Sequence, residues 1–396
     1  MKLVIKKFSK LISNMDKKLL IASIVLFTFG LLNIVTASSR ESISYDYSLY
    51  YYFFKQIKIL GAGLVAFLTI INIDTKNYKK LALVAFLIIG GMLIYLWLDG
   101  DFKRGSKNWL PLPIIGQVQP SEFGKPVIIV CLALIFEKFY SKLRDKSINH
   151  YDMIGIILIA GLTFPLIIFF QKDFGTMFIT LCIFGVMFLA SPILRKEKAI
   201  IIGILGILAS IVLLSSVFSS KNLLTMEQTD RILNFFNPCS NYEDGGYQTC
   251  NGFIAINDGG LFGLGIGKSK QKYSYIPEPH TDSVFAIIIE ECGLLWGIVL
   301  FGLYSLILKR ILDLSSKANT IRGKYICLGV ATYIFMHIIV NLGGLFGLIP
   351  LTGVPLPFLS YGGSFTLSLI VSLAIVQRIY IETNIKTKKI KRSRKA

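Results

Sequence analysis

The sequence predicts an all-α polytopic membrane protein with about ten transmembrane helices, both termini in the cytoplasm, and a large extracellular loop between helices 7 and 8. Three observations predict it. Of 396 residues, 54% are hydrophobic and 16% charged, with a mean hydropathy of +0.64, whereas a soluble domain carries roughly 25% charged residues. Solidly apolar runs occupy 19–37, 56–73, 81–98, 120–138, 153–170, 173–191, 199–218, 283–308, 325–342 and 364–380. Each is close to the ~20 residues that a helix needs to cross ~30 Å of hydrocarbon. Finally, 29 of the 42 Lys and Arg residues fall on the side that holds the amino terminus, and an excess of basic residues in short loops marks that side as cytoplasmic.

The elements follow in order. Residues 1–18 form a basic cytoplasmic segment, 19–380 the transmembrane domain, and 381–396 a basic cytoplasmic tail. The first run is followed by nine more and by no small-residue cleavage site, so it is read as a span and not a cleavable signal. A membrane barrel is excluded because the runs do not alternate, and disorder because there is ample apolar surface to bury. The net charge of +19 is spread over six short loops, which speaks against nucleic acid. The tail from Lys386 to Lys395 suits anionic membrane lipids, at about 1 kcal/mol per basic residue. A docking arm for a partner protein is the alternative.

Three outward-facing stretches break the apolar pattern. In 99–125, Pro120 suits the first turn of a helix, and Glu122 and Lys125 then share a face at i,i+3. Trp109 is either an anchor in the aromatic belt or a platform for a sugar or headgroup. The long loop 219–282 carries Asp230-Arg231, Gly246-Tyr-Gln248 and Ala255-Ile-Asn-Asp-Gly-Gly260, and closes on Glu278, His280, Thr281 and Asp282. A loop of that length without a task is uncommon. A carboxylate beside an imidazole there serves as a general base, or Thr281 or Asp282 simply caps the helix that follows. Glu290 and Glu291, on the same helix, are acids at membrane depth and so are expected to face a wet cavity or a cation such as Lys125. The third stretch, 343–363, has no charge but six glycines and three prolines. It is expected to be a re-entrant-like segment packed in protein or lining a cavity.

Other signals are set aside. Gly263 to Ser269 lacks the spacing of a phosphate loop, and the three histidines are too scattered for a zinc site. Cys131, Cys182, Cys292 and Cys327 read as packing residues. Cys239 and Cys250 share the outer loop, where a disulfide is expected between them.

Taken together and in order, the motifs resemble the SEDS membrane proteins of bacteria, the FtsW/RodA/SpoVE group. The matching pieces are Trp109, Gln119-Pro-Ser-Glu122 with Lys125, Gln171-Lys-Asp173-Phe-Gly-Thr176, Gly246-Tyr-Gln248 and Ala255–Gly260. They continue with Pro277-Glu-Pro-His-Thr-Asp282, Glu290-Glu291, Asn341, and Thr352 to Gly363 with Ser360-Tyr361. The chain departs from the group at Asn108, with Lys107 adjacent, where Arg is usual. It departs again at Lys172, Ser274 and Ser364-Phe365. Lys270-Gln-Lys272 looks closer to the FtsW/SpoVE branch.

The resemblance implies a peptidoglycan glycosyltransferase of the cell membrane. It would polymerise lipid II, the undecaprenyl-pyrophosphate-linked disaccharide peptide, for division or cell shape. It also implies a class B penicillin-binding transpeptidase as partner, within the divisome or elongasome. Asp282 takes the place of the group's essential acid. Trp109, Lys107, Glu122, Lys125, Asp173, Arg231, Gln248, Glu278, His280, Thr281, Glu290, Glu291, Ser360 and Tyr361 are the expected substrate-binding residues. Lys125, Lys107, Arg104 and Arg231 are candidate partners for the leaving diphosphate. No cofactor is required by the sequence, and whether a divalent cation, Mg or Mn, assists is left open. A lipid II flippase or a non-catalytic scaffold for a transpeptidase are the competing functions. The absence of a clear internal repeat and the gathering of polar motifs on one face speak against transport.

Overall fold

The structure, a computed structural model, describes residues 12–102, 105–112, 116–145, 150–218, 226–236, 238–239, 246–274, 276 and 279–393. Ten long helices carry the fold: α1 (Lys17–Ala37), α3 (Tyr51–Ile71), α4 (Tyr78–Asp99), α5 (Pro120–Asp145), α6 (His150–Phe170), α7 (Phe174–Ala190), α8 (Arg195–Phe218), α13 (Leu294–Lys317), α14 (Ile321–Leu345) and α15 (Gly363–Ser393). Between them lie the short helices α2 (Ser39–Ser44), α9 (Met226–Phe236), α10 (Tyr247–Gly259), α11 (Gln271–Ser274) and α12 (Val284–Cys292). Among the described residues, seven helices are long and apolar enough to cross a membrane, and Phe174–Ala190 is a shorter apolar helix. The chain is an all-α, polytopic membrane protein.

Local chemistry sets the ends. Asp16 caps α1 by accepting from the backbone N–H groups of Lys18 and Leu19. The same residue ties three helices together at one end of the bundle. Its carboxylate takes two hydrogen bonds from Arg310 of α13, and its backbone N–H donates to Gln377 of α15 at 2.9 Å. Nearby, Arg378 pairs with Asp74 and Glu382, and Arg322 with Glu137. This is the end where the basic loops gather. α14 and α15 are mostly buried and form the axis of the bundle, while α3 is mostly exposed at its edge. An exposed apolar face on such a helix is what lipid requires.

Pro120 does begin α5, as its missing N–H allows. Four expectations need correction or refinement. Residues 283–308 are not one span. The chain makes α12, breaks at Gly293 with φ +85°, and only then starts α13. A Cβ at Gly293 would sit 2.3 Å from the Leu261 carbonyl oxygen, so only glycine fits this crossing. Glu290 and Glu291 therefore belong to a nine-residue helix and not to the membrane span. The cap of α12 is Ser283, and neither Thr281 nor Asp282 caps it. Part of 219–282 is helical, as α9, α10 and α11, and 99–125 holds an antiparallel hairpin pairing Leu110–Leu112 with Gly116–Val118.

The stretch 343–363 divides. Its first residues finish α14, and 346–362 is irregular backbone with positive φ at Gly347, Phe358 and Gly353. Val354, Leu356, Phe358 and Leu359 are buried, whereas Phe346 and Leu348 are exposed, so the part around 354–359 is packed in protein. Cys239 and Cys250 are joined by a disulfide with Cα atoms 5.0 Å apart.

Candidate functional site

The end of the bundle opposite the basic loops brings the polar motifs together around the segment 352–355. Asn341, near the end of α14, is the organiser. Its Nδ2 donates to the backbone oxygens of Asp282 (2.7 Å) and Val354 (2.8 Å), joining two stretches far apart in sequence. A Cβ at Gly353 would lie 3.8 Å from Asp282 Oδ2, so the carboxylate faces this glycine across open contact distance. Gly175, in the first turn of α7, abuts the other side of the segment at Thr352 and Val354.

Asp282 keeps part of its surface accessible, although its carboxyl is set among protein atoms. Burial pushes that carboxyl above the usual carboxylate range. Hydrogen bonds from Gln248, its own backbone and Thr281, and the charge of Arg231, oppose the rise. Thr281 Oγ1 donates to Asp282 Oδ1 at 3.2 Å, and Gln248 Nε2 donates to Ser283 Oγ at 3.0 Å. The sequence expectations Asp282, Thr281, Gln248 and Arg231 thus converge on one point. α9 and α10, which carry Arg231 and Gln248, are the elements that bring them there.

His280 is buried, and its backbone oxygen accepts from the Tyr361 N–H at 2.8 Å. Ser360 shapes the turn before it, exchanging hydrogen bonds with the backbone of Leu356. Asp173 caps α7 through the Thr176 N–H and accepts from Asn108 Nδ2 (2.7 Å) and Gln119 Nε2 (3.1 Å). Its charge is therefore held by neutral donors. The Lys107 N–H donates to the Gln171 oxygen at 3.0 Å, and its ammonium lies 5.2 Å from the Phe102 ring centre. Trp109 is half-buried at the start of the hairpin. Glu278 and Arg104 lie outside the described residues.

Two expectations about cations change. Lys125 is fully buried. Its Nζ pairs with Glu122 Oε1 at 2.7 Å and donates to His337 Nε2 at 2.9 Å. Glu290 and Glu291 do not reach it, because the Gly293 break leaves them against the chain from Ser269 to Lys272. Glu290 accepts from Ser269 Oγ and the Lys270 and Gln271 N–H groups, and Glu291 pairs with Lys272 Nζ at 2.6 Å. Both acids are buried and hold α11 in place. His337, passed over as a scattered histidine, faces Pro355 O with Nδ1 at 3.3 Å. Its signal was available in the sequence, four residues before Asn341 on one helix face. Among the described residues, no group of three or more His, Cys, Asp or Glu side chains could hold a metal ion.

This geometry coincides with a known family. The model of the cell cycle proteins FtsW, RodA and SpoVE matches residues 17–385. The chain belongs to the FtsW/RodA/SpoVE family. It is 31% identical to stage V sporulation protein E of Bacillus subtilis, over 92% of this chain and 96% of that one. It is also 31% identical to a protein of Coxiella burnetii named "Probable peptidoglycan glycosyltransferase FtsW", over 96% and 99%. Among solved structures, a chain from a peptidoglycan synthase complex that coordinates polymerization and crosslinking superposes with a TM-score of 0.72. It is 20% identical and covers 93% of this chain and 98% of its own. The rod shape determining protein RodA of Thermus thermophilus gives 0.66 at 20% identity, over 93% and 97%. These two share the fold. As a family member with seven spanning-length helices, the protein is a multi-pass protein of the bacterial cell membrane.

Proposed function

We propose that the protein is a peptidoglycan glycosyltransferase that polymerises lipid II at the outer face of the cytoplasmic membrane, with Asp282 as general base. The observation that carries this reading is the Asp282 carboxyl itself, raised by burial yet held by Gln248, Thr281 and Arg231 at the end opposite the basic loops. A carboxyl whose proton affinity is raised is a stronger base for the acceptor hydroxyl. Relatives named for the same activity, at 30–31% identity over nearly the whole chain, support the reading.

The reaction is a displacement at the sugar. The acceptor 4-hydroxyl oxygen attacks the anomeric carbon of the growing chain as its proton passes to Asp282. The bond to the undecaprenyl diphosphate breaks with inversion, and the leaving group takes the electron pair. Arg231 is the cation beside Asp282 and is exposed, so it is placed to meet negative charge developing there. Lys107 remains the second candidate. Lys125 is better read as a buried cation that pairs with Glu122 on its own helix and reaches α14 through His337. The partner is a class B penicillin-binding transpeptidase, which fits the fold shared with a chain from a peptidoglycan synthase complex that coordinates polymerization and crosslinking.

Reconstitution of the full chain with its transpeptidase and labelled lipid II tests this. Moenomycin-insensitive glycan strands are expected from the wild type. Asp282→Ala should lose about 10²–10⁴-fold in rate, the usual share of a general base. Near-normal synthesis by that variant would defeat the assignment.

A further inference from the structure

The geometry points to Glu41 as a positioning residue that braces His280, and through it the Asp282 turn, from the short helix α2 between the first two long helices. Nothing in the motifs of the chain singles Glu41 out, and the inference rests on the reading of Asp282 as the reacting carboxylate. Glu41 Oε2 lies 3.3 Å from His280 Nδ1. Its other oxygen accepts from the Tyr52 hydroxyl at 2.7 Å. Oε1 is thus hydrogen-bonded to α3, while Oε2 sits at ion-pair distance from the imidazole, outside hydrogen-bond geometry.

His280 is clasped on every side that the packed elements offer. The Tyr52 ring lies 4.6 Å from its ring centre and the Tyr361 ring 5.3 Å, and the two tyrosines meet edge to face at 5.2 Å. Among the described residues, the titratable groups shown facing the imidazole are Glu41 from α2, Tyr52 from α3 and Tyr361 from the irregular segment. On its own stretch of chain Asp282 lies two residues after it, and Glu278, two residues before, lies outside the described residues. A carboxylate 3.3 Å from Nδ1 favours the form with hydrogen on that nitrogen and biases the plane of the ring. A fixed ring fixes the backbone of 280–282. The Tyr361 N–H on the His280 oxygen and Asn341 on the Asp282 oxygen close the same turn from the other direction. Without Glu41 the ring loses that charged contact and keeps its packing against Tyr52 and Tyr361. A reacting carboxylate that wanders by an ångström loses rate and not affinity.

The test uses ¹⁵N-histidine-labelled full chain in nanodiscs, alone for the ring signature and with the transpeptidase and lipid II for kinetics. The sequence contains three histidines, so the His280 ring is readily assigned. In the wild type, Nδ1 should show the protonated signature. Glu41→Ala should lose that signature and lower kcat by about 10–100-fold, the range seen when the partner orienting an imidazole is removed. KM should stay unchanged. Tyr52→Phe keeps the ring on His280 and the Glu41 carboxylate, and should retain both the signature and most of kcat. An intact Nδ1–H signature or wild-type kcat in Glu41→Ala overturns the inference. So does a loss in Tyr52→Phe equal to that in Glu41→Ala. If the wild-type complex makes no strands while Glu41→Ala still loses the signature, the polymerase reading fails and the Glu41–His280 contact stands.

Discussion

Replacing Lys125 by Met should destabilise the protein far more than replacing Lys125 and Glu122 together. The pair is buried, with side-chain exposures of 0% and 3%. Removing the ammonium strands the Glu122 charge, and the cost of an uncompensated buried charge is about 3–5 kcal/mol. His337 Nε2 also loses its donor, adding about 1–3 kcal/mol for an unsatisfied buried group. Removing both charges, as in Lys125→Met with Glu122→Gln, eliminates the stranded charge, and such exchanges are often neutral within about 1–2 kcal/mol. The coupling between the two sites should therefore be several kcal/mol and favourable. Thermal unfolding of the full chain in one detergent, read by loss of solubility, gives the cycle. The single Lys125→Met variant should fall by about 5–10 °C, and the double variant should recover most of that. If the two single losses simply add in the double variant, Lys125 and Glu122 do not act as a coupled buried pair.

Three further outcomes follow from the site. Activity should fall as pH drops through the raised Asp282 value, because the base is then protonated. Arg231→Ala removes a charge that opposes the rise, so the acid limb of its rate profile should move to higher pH. Since burial favours the neutral form of Asp282, ionisation costs folding free energy at neutral pH and that cost is relieved as pH falls. Asp282→Asn should therefore unfold no earlier than wild type at neutral pH, measured by the same thermal assay. Alkylation without reductant should leave Cys239 and Cys250 unmodified. Reduction should loosen their loop, which spans 11 residues, by about 3 kcal/mol on the chain-entropy model. Proteolysis between α9 and α10 reports it.

The long helices were legible because membrane burial writes itself into composition. The run from 325 to 342, for example, is solidly apolar, and α14 covers it. The break at Gly293 was not legible. Its flanks, Val284–Ile289 and Leu294–Leu300, are equally apolar, and nothing local separates a helix crossing from a continuous span. That single crossing decided the partners of Glu290 and Glu291. Asp282, Gln248 and Arg231 were recognisable as chemistry in an outer loop, and their convergence depends on the helices α9 and α10 that carry two of them. Lys125 with Glu122 was visible as an i,i+3 pair, since both lie on one helix. Its third partner, His337, is 212 residues away. Glu41 was illegible for the same reason. An isolated acid in a tyrosine-rich loop shows its use only when α2 is brought beside residue 280.

The double hydrogen bond of Asn341 sets an order of assembly. Position 282 leaves the ribosome well before positions 341 and 354, so the aspartate enters the membrane-bound nascent chain without its eventual neighbours. It acquires them only when the penultimate helix and the stretch after it have been inserted. A polypeptide stalled ahead of that stretch would sit in the bilayer with most of its spans in place but without the contacts that join positions 282 and 354.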